Sequence, residues 1–256
     1  MSSPKELPAQ KLQFYVTTPY ACGYIAKNLA QSLIAAPHHL VNADIYSELI
    51  TQGFRRSGKF AYRPHCEHCN KCVPVRIVLD AFAPTRSQKR AYKQHHELTA
   101  NIIPLGFHQA HFALYTAYQA LRHTNEDDIN QSTTTSEADQ YKQFLCQSNV
   151  DSFMVEFRDA SNQVKIVSVI DTLNDGHSAV YTFYDAAEPK ASYGTYAIMW
   201  LIEWTKSLNL PYLYLGYWIA ESQKMAYKEK FNPQEKYING EWLTDAIVTN
   251  TYKDDA

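Results

Sequence analysis

The sequence predicts an α+β protein, with an N-terminal cysteine-bearing region and a C-terminal domain of three strands, a helix and a further strand. Three observations support this prediction. Strand-like and helical segments follow that order after residue 150, cysteines and basic residues concentrate before residue 95, and 256 residues with 45% hydrophobic side chains are normal for a globular chain. We expect the two parts to divide at residues 1–105 and 106–256.

Short extended and helical segments alternate in the N-terminal part. Residues 11–20 are predicted to form a strand that ends near Pro19, and a turn at Gly23 precedes a predicted helix over residues 26–36. A second helix is predicted over residues 43–52 and ends at Gly53. Residues 59–64 and 73–79 are predicted to be extended, and residues 87–99 to be helical.

The C-terminal part begins with a predicted helix over residues 107–123, where apolar and aromatic side chains recur at helical spacing. The polar residues 124–139 predict a mobile loop. Strands are then predicted over residues 152–158, 164–171 and 179–184, a helix over 193–207 and a strand over 212–216. This order, in which a helix crosses over to the last strand, is similar to the core of GNAT-type acyltransferases.

Basic residues are concentrated between Arg55 and Lys93. This stretch contains ten Lys and Arg residues against Glu67 and Asp80, a net charge of +8, although the whole chain carries −2. Such a block attracts a polyanion such as a nucleic acid. A solvated charged face is the alternative explanation.

Three of the five cysteines lie in the motif Cys66-Glu-His-Cys69-Asn-Lys-Cys72. Together with Cys22 they offer four thiolates, enough to bind Zn or an iron-sulfur cluster, and a group of reduced thiols is the alternative. The remaining Cys146 is predicted to be a small core residue. Since no apolar run reaches the ~18 residues of a membrane span and the start lacks a signal peptide, we expect a cytoplasmic protein with no membrane partner.

The sequence of the turn before the crossover helix indicates which acyl donor the protein can bind. In CoA-dependent proteins of this type, a Gln/Arg-x-x-Gly-x-Gly/Ala turn binds pyrophosphate through backbone amides at the helix N-terminus. Here the turn is Ala191-Ser-Tyr-Gly194-Thr-Tyr196, which keeps only the middle glycine, and Asp185 and Glu188 place negative charge nearby. CoA is therefore disfavoured, and the basic N-terminal part favours a tRNA ester as the donor.

Seven sequence blocks carry a resemblance to a known family, and together they run from Leu12 to about Trp242. The blocks are Phe14–Tyr24, Tyr46–Gly58, Tyr62–Arg76, Ser87–Arg90, Ser148–Ser152, Tyr193–Tyr196 and Tyr214–Ile219. The sequence resembles the bacterial aspartate/glutamate leucyltransferases, which are aminoacyl-tRNA-protein transferases of the N-degron pathway related to eukaryotic arginyl-tRNA-protein transferases.

The resemblance implies transfer of leucine from leucyl-tRNA to proteins with N-terminal Asp or Glu, which marks them for degradation. Because the donor is an activated ester, the chemistry itself needs no cofactor. Eukaryotic relatives are associated with an iron-sulfur cluster at cysteines that resemble Cys22 and Cys72. The alternatives are arginyl transfer from arginyl-tRNA, CoA-dependent N-acetylation, and a metal-bearing RNA-binding or redox-sensing module.

Candidate catalytic residues lie on the C-terminal strands. Asp171, at a predicted strand end, is the candidate that orients or deprotonates the acceptor amine, and a capping carboxylate is the alternative. Tyr181 and Tyr214 complete the predicted catalytic set. Tyr184 and Tyr217 are expected to line the substrate cleft.

Candidate binding residues are cationic. The guanidinium of arginine matches a carboxylate in a bidentate way, so Arg55 and Arg56 are the first candidates to bind the acidic acceptor side chain, with Lys224 as the second. Phosphate of the tRNA is the alternative ligand for all three. Lys89 and Arg90 are expected to bind tRNA phosphate directly.

Overall fold

The computed structural model describes residues 11–122 and 135–244. Most of the predicted loop over residues 124–139 lies outside these ranges. Its last part is helical, because Ser136 accepts a hydrogen bond from the backbone N–H of Asp139 and so caps a short helix over Glu137–Tyr141. The loop prediction is therefore wrong at its C-terminal end.

The described residues form fourteen strands and six α-helices. The strands are β1 (Gln13–Val16), β2 (Tyr20–Ala21), β3 (Leu29–Ala30), β4 (Ser32–Ala36), β5 (Arg55–Ser57), β6 (Phe60–Pro64), β7 (Val73–Val78), β8 (Thr99–Pro104), β9 (Ser152–Arg158), β10 (Val164–Leu173), β11 (Gly176–Tyr184), β12 (Tyr212–Trp218), β13 (Gln234–Ile238) and β14 (Glu241–Thr244). The helices are α1 (Ala43–Thr51), α2 (Arg86–Gln94), α3 (Gln109–Arg122), α4 (Glu137–Tyr141), α5 (Tyr193–Ser207) and α6 (Gln223–Ala226).

An eight-stranded sheet forms the centre of the described structure, in the order β14-β13-β7-β12-β11-β10-β9-β8. Strands β11 and β12 are parallel and are connected through α5, whereas the other neighbouring strands are antiparallel. The predicted order of three strands, a helix and a strand is confirmed as β9, β10, β11, α5 and β12. Strands β7 and β8 lie before residue 105 but belong to the same eight-stranded sheet as β9 to β12. The division of the chain at residues 1–105 and 106–256 stays a prediction.

A four-stranded antiparallel sheet, in the order β1-β4-β6-β5, forms the N-terminal part. The helix predicted over residues 26–36 is wrong, because β3 and β4 occupy this range. Strand β4 pairs with β1 on one side and β6 on the other, and this two-sided pairing outweighs the local helical pattern. At the edge of this sheet, β5 carries Arg55 and Arg56.

Helix α2 is shorter than predicted and packs against α5. Thr85 and Gln88 form a capping box at its start, and the helix ends at Gln94 rather than at residue 99. The rings of Tyr92 and Tyr196 stack at 5.6 Å between the two helices. Helix α5 in turn packs on the large sheet, where Phe157 meets the ring of Tyr196 at 5.5 Å. Within the described ranges, no helix has both the length and the apolar character needed to cross a membrane.

His177 on β11 makes the stability of this packing depend on pH. The side chain is 2% exposed, stacks on Trp204 at 4.6 Å and shares a hydrogen bond of 3.0 Å with the hydroxyl of Thr205. Burial lowers the pKa of His177 to about 4. In the unfolded chain this histidine is protonated below pH ~6.5, whereas in the folded protein it stays neutral down to about 4. The free energy of unfolding therefore decreases as the pH falls through this range, by up to ~3 kcal/mol.

We therefore expect His177→Gln to flatten the loss of unfolding free energy between pH 6.5 and 4, as measured by urea denaturation at each pH. His96→Gln is the matched control, since His96 is exposed. An unchanged pH dependence in the His177 variant would show that another group controls acid stability.

Candidate functional site

Strands β11 and β12 separate from each other to form a fork. Their parallel pairing covers only Gly176–Ser178 and Tyr212–Tyr214. Beyond it both strands bulge. The pairing of β10 with β11 skips Val180, and the pairing of β12 with β7 skips Leu215. Backbone carbonyls that form no hydrogen bond within the sheet therefore point into the fork.

The guanidinium of Arg55 fills this fork. Its Nη2 donates to the carbonyls of Ala179 and Val180, both at 2.8 Å, and its Nη1 donates to the carbonyl of Leu215 at 3.3 Å. Gly216 makes room for it, because a Cβ there would overlap Nη1 of Arg55. The backbone of Gly216 also has a φ of +75°, which favours glycine. Arg55 is thus a fixed cation that joins the two strands.

Tyrosines surround this cation, and we call Tyr24, Tyr62, Tyr217 and Tyr227 the tyrosine recess. Tyr24 and Tyr227 are 39% and 42% exposed. Even so, burial of the hydroxyls raises the pKa of each to about 12, against the opposing charge of Arg55. The recess is thus a partly exposed group of tyrosines next to the fixed cation Arg55.

Lys228 lies beside the recess. Its side chain is 4% exposed, and Nζ donates to the carbonyl of Tyr217 at 2.5 Å. Burial, and after it the charge of Arg55, lower the pKa of Lys228 well below its ordinary value. Across the sheet, Tyr217 pairs with Pro74, so the amine lies close to the end of the cysteine loop.

Arg56 and Asp171 form a buried ion pair instead of facing the recess. Nε of Arg56 donates to both carboxylate oxygens of Asp171, at 3.1 and 2.9 Å, and Nη2 donates to Oδ1 at 2.6 Å. Ser152 donates to the same oxygen at 2.6 Å. Asp171 is 0% exposed. This geometry favours a structural role, in which the pair joins β5 to β10, over the predicted contacts with substrate.

The four tyrosines predicted on β11 and β12 lie in different surroundings. Tyr217 is in the recess, and its hydroxyl bonds to the carbonyl of Gly53 at 3.0 Å. Tyr181 lies near Tyr24 and Tyr184 lies near Tyr227, so both are next to the recess.

Tyr214 belongs to a separate buried cluster. Its hydroxyl donates to Asp175 at 2.8 Å and accepts a hydrogen bond from Arg76 at 2.9 Å. The guanidinium of Arg76 also lies 3.6 Å from the ring centre of Tyr212 and 4.4 Å from that of Trp242. These contacts favour a structural role for Tyr214 rather than the predicted catalytic one.

The predicted cationic surface residues are solvent-exposed. Lys89 and Arg90 lie on the outer face of α2, and Lys224 lies on α6. The buried side of α2 is fixed by Gln88, which donates to the carbonyl of Lys230 at 2.9 Å. Helix α2 thus presents Lys89 and Arg90 next to the segment that carries Tyr227 and Lys228.

The four cysteines of the predicted metal site lie near one another. Burial, and after it the thiols of Cys22, Cys66 and Cys69, raise the pKa of Cys72 to about 12. The side chains as placed do not form a metal site, since within residues 11–122 and 135–244 no group of three or more His, Cys, Asp or Glu is arranged to hold an ion. A cavity of about 290 Å³ adjoins Cys72, with walls that include Trp218, Tyr237 and the ion pair of Lys71 with Glu221.

Sequence reasoning missed Gly216, Tyr227 and Lys228 in this site. A glycine that interrupts the strand Tyr212–Trp218 is a signal for a bulge or a close backbone approach. Tyr227 and Lys228 gave no such signal, because Tyr-Lys-Glu-Lys is typical of a solvated turn. Cys146, which was predicted to be a small core residue, is half-buried and donates to the carbonyl of Gly106 at 3.3 Å.

Comparisons with known proteins give a consistent result. Two family models match, the N terminus of arginine-tRNA-protein transferase over residues 20–90 and its C terminus over residues 110–238. The chain is 59% identical over 242 residues to an aspartate/glutamate leucyltransferase of Methylobacillus flagellatus, covering 94% of this chain and 95% of that protein. It is 49% identical over 247 residues to the one of Polynucleobacter asymbioticus, covering 94% and 98%.

A solved structure gives less information. L-PGS from Bacillus licheniformis superposes with a TM-score of 0.44 and 12% identity, over 68% of this chain and 58% of that one. A score of this size does not establish the fold.

Proposed function

The chain belongs to the arginine-tRNA-protein transferase family and, within it, to the aspartate/glutamate leucyltransferases, and we propose that it transfers leucine from leucyl-tRNA to the N-terminal Asp or Glu of acceptor proteins. The 59% identity over 94% of the chain supports the reaction. The observation in the structure that supports it best is Arg55, a cation fixed beside a partly exposed group of tyrosines. The new peptide bond places leucine at the N-terminus and marks the acceptor for degradation.

Arg55 is our candidate to bind the acceptor carboxylate. A guanidinium has five N–H groups, and the three hydrogen bonds to the fork leave two for a ligand. Arg56 is unsuited to this role because Asp171 already pairs with it. Lys224, exposed on α6, is the second candidate.

The charge of the recess favours leucine over arginine as the transferred residue. Arg55 lies near each of its tyrosines. An arginyl side chain would bring a second cation close to that of Arg55, and the two like charges repel each other. A neutral leucyl side chain carries no such penalty, which agrees with the activity named for the relatives.

CoA is an unsuitable donor for this site. Arg55 fills the fork between β11 and β12 and binds its free carbonyls, so an extended acyl arm has neither space nor hydrogen-bonding partners there. Asp185 and Glu188, before α5, share Lys165 at 3.0 Å each and keep negative charge where a pyrophosphate would bind. We propose a GNAT-like arrangement of strands adapted to a tRNA ester.

The tRNA is proposed to bind along the basic segment that includes Lys89 and Arg90. We expect Lys89→Ala/Arg90→Ala to weaken binding of all tRNAs alike, by about tenfold at low salt, because each cation releases counterions from the phosphate backbone. The measurement is the dissociation constant of leucyl-tRNA against salt concentration, which should give a shallower slope in the variant. A wild-type affinity that does not depend on salt would contradict this proposal.

For the cysteines, we propose that Cys22, Cys66, Cys69 and Cys72 bind Zn or an iron-sulfur cluster. Four neighbouring thiols supply a suitable set of donor atoms. Since their side chains as placed do not form the site, no step of the transfer is assigned to a metal. Metal analysis of anaerobically purified protein, with Cys69→Ser as the comparison, tests the proposal.

The reaction itself is tested by mass analysis of peptides that begin with Asp, Glu, Asn or Lys. Each peptide is incubated with leucyl-tRNA, arginyl-tRNA or acetyl-CoA. We expect a leucine adduct on the Asp and Glu peptides alone. An acetyl adduct, or binding without any transfer, would support the competing functions instead. Use of charged tRNA also supports our proposal of a cytoplasmic location.

A further inference from the structure

The four-stranded sheet of the N-terminal part has one covered face and one open face. Ala35 on β4 and Ala61 on β6 are 0% and 1% exposed and belong to a buried cluster with side chains of α1. Because successive side chains of a strand point to opposite faces, the neighbours of these alanines lie on the other face. There Tyr15 is 56% exposed and Phe60 is 52% exposed. The second face is therefore open to solvent at these two rings.

Strand pairing connects this open face to the tyrosine recess. One row of paired residues runs across β1, β4, β6 and β5 and consists of Tyr15, Ile34, Tyr62 and Arg55. Phe60 lies two residues before Tyr62 on β6, so its ring is on the same face. We call Tyr15, Ile34, Phe60 and Tyr62 the aromatic face. Since Tyr62 also belongs to the recess, the aromatic face continues into it.

The two exposed rings of the aromatic face are held by their neighbours. The hydroxyl of Tyr15 donates to the side chain of Gln13. The ring of Phe60 packs against that of His38 at 5.2 Å, and the backbone carbonyl of His38 accepts a hydrogen bond from Asn149 at 2.8 Å. A surface whose side chains are already ordered loses little conformational entropy when a ligand packs on it.

The charge of the aromatic face favours a polypeptide over the tRNA as its ligand. Among the paired residues of these described strands, Arg55 is the only charged side chain on this face, and it already binds the carbonyls of the fork. Arg56 and Arg63 point to the opposite face, where they contact Asp171 and Phe54. Phosphates would find few cations here, whereas apolar side chains can bury their surface against the rings.

We propose that the aromatic face binds the acceptor chain just after its N-terminal residue and favours acceptors with apolar side chains at their third to fifth positions. This inference rests on the proposed function, in which Arg55 binds the acceptor carboxylate. From β5, which carries Arg55, to β1 there are three strand spacings of ~4.8 Å, or about 14 Å. An extended chain advances ~3.3 Å per residue, so about four residues after the first cross the face.

The two substrates then reach the recess at different places. Helix α2, which presents Lys89 and Arg90 to the tRNA, adjoins the recess at the segment that carries Tyr227. The aromatic face adjoins it at Tyr62. Phosphate contacts on α2 and apolar contacts on the sheet can therefore form at the same time.

Two acceptor peptides test this inference. Both begin with Asp and have the same length, and they carry either apolar residues or serines at the third to fifth positions. Leucine transfer from leucyl-tRNA is measured as kcat/KM for each peptide. We expect kcat/KM to be about tenfold higher for the apolar peptide, mainly through a lower KM, because its side chains bury apolar surface on the rings.

Removal of the two rings should abolish this preference. We expect Tyr15→Ser/Phe60→Ser to reduce the ratio of the two kcat/KM values to less than threefold. Because both rings are largely exposed, the variant should fold, which circular dichroism checks, and each single variant should lower the ratio in part. Ile102→Ser is the matched control, since Ile102 is an exposed apolar residue on β8, and it should keep the tenfold ratio.

The outcomes separate this inference from the proposed function. Equal transfer to both peptides by the wild type, or a tenfold ratio that survives in the folded double variant, would overturn the inference and leave the function intact. A double variant that loses affinity for leucyl-tRNA and keeps the ratio would assign the aromatic face to the donor and also contradict the inference. Absence of transfer to either peptide would overturn the function itself.

Discussion

Replacing Arg55 with Met should reduce leucine transfer to Asp and Glu peptides by about 30-fold or more, measured as kcat/KM. Removing one partner of a desolvated charge pair typically costs ~2–5 kcal/mol, and each ~1.4 kcal/mol is a factor of ten. The same change leaves the carbonyls of Ala179, Val180 and Leu215 without their donor. Binding of leucyl-tRNA should change less than in the Lys89/Arg90 variant.

Arg55→Lys is the matched control for this prediction. A lysine keeps the charge but cannot bind both strands with one planar group, so we expect an intermediate loss. Circular dichroism and thermal melts establish that both variants fold. If the Met variant folds, keeps its preference for acidic peptides and loses tRNA affinity, Arg55 belongs to the donor site and Lys224 becomes the better candidate to bind the acceptor.

Breaking the pair of Arg56 and Asp171 should destabilise the whole protein. We expect Arg56→Met to lower the free energy of unfolding by ~3–5 kcal/mol, because it leaves Asp171 buried and without a cation. Asp171→Asn should have a similar cost. The double variant Arg56→Met/Asp171→Asn should be more stable than the sum of the two single effects predicts, as measured by urea denaturation of all three.

The same variants distinguish a structural role from a catalytic one. If the pair is structural, the double variant keeps measurable transfer with an unchanged pH profile wherever it is folded. If Asp171 is the general base, Asp171→Asn should instead fold with nearly normal stability and lose most of kcat. The second result would assign the acid-base chemistry of the transfer to Asp171.

Much of the fold follows from local patterns in the sequence. The helix Tyr193–Ser207 and the strands on either side of it were predicted because periodicity and burial agree there. The strand Ser32–Ala36 was not, since its conformation depends on β1 and β6 pairing with it from both sides. Local preference cannot report a partner that lies far away in the chain.

The candidate site was predicted less completely, for a related reason. The sequence identified Arg55, Arg56 and Asp171 as important but could not assign them to different partners. The two arginines have different partners because successive side chains of β5 point to opposite faces of the strand. One arginine reaches the fork and the other reaches Asp171. The role of Lys228 depends wholly on burial, which its charged local sequence conceals.

Crosslinking locates the acceptor most directly and so tests the central claim that its N-terminus binds in the tyrosine recess. A peptide that begins with Asp and carries a photoreactive diazirine at its second residue is irradiated with the protein and uncharged tRNA, and the labelled residues are identified by mass spectrometry. We expect labels at Tyr24, Tyr62 or Tyr227, with loss of labelling when excess unlabelled Asp peptide competes and little loss when an Asn peptide does. Labels confined to the cavity beside Trp218 and Tyr237, or equal competition by both peptides, would contradict the account.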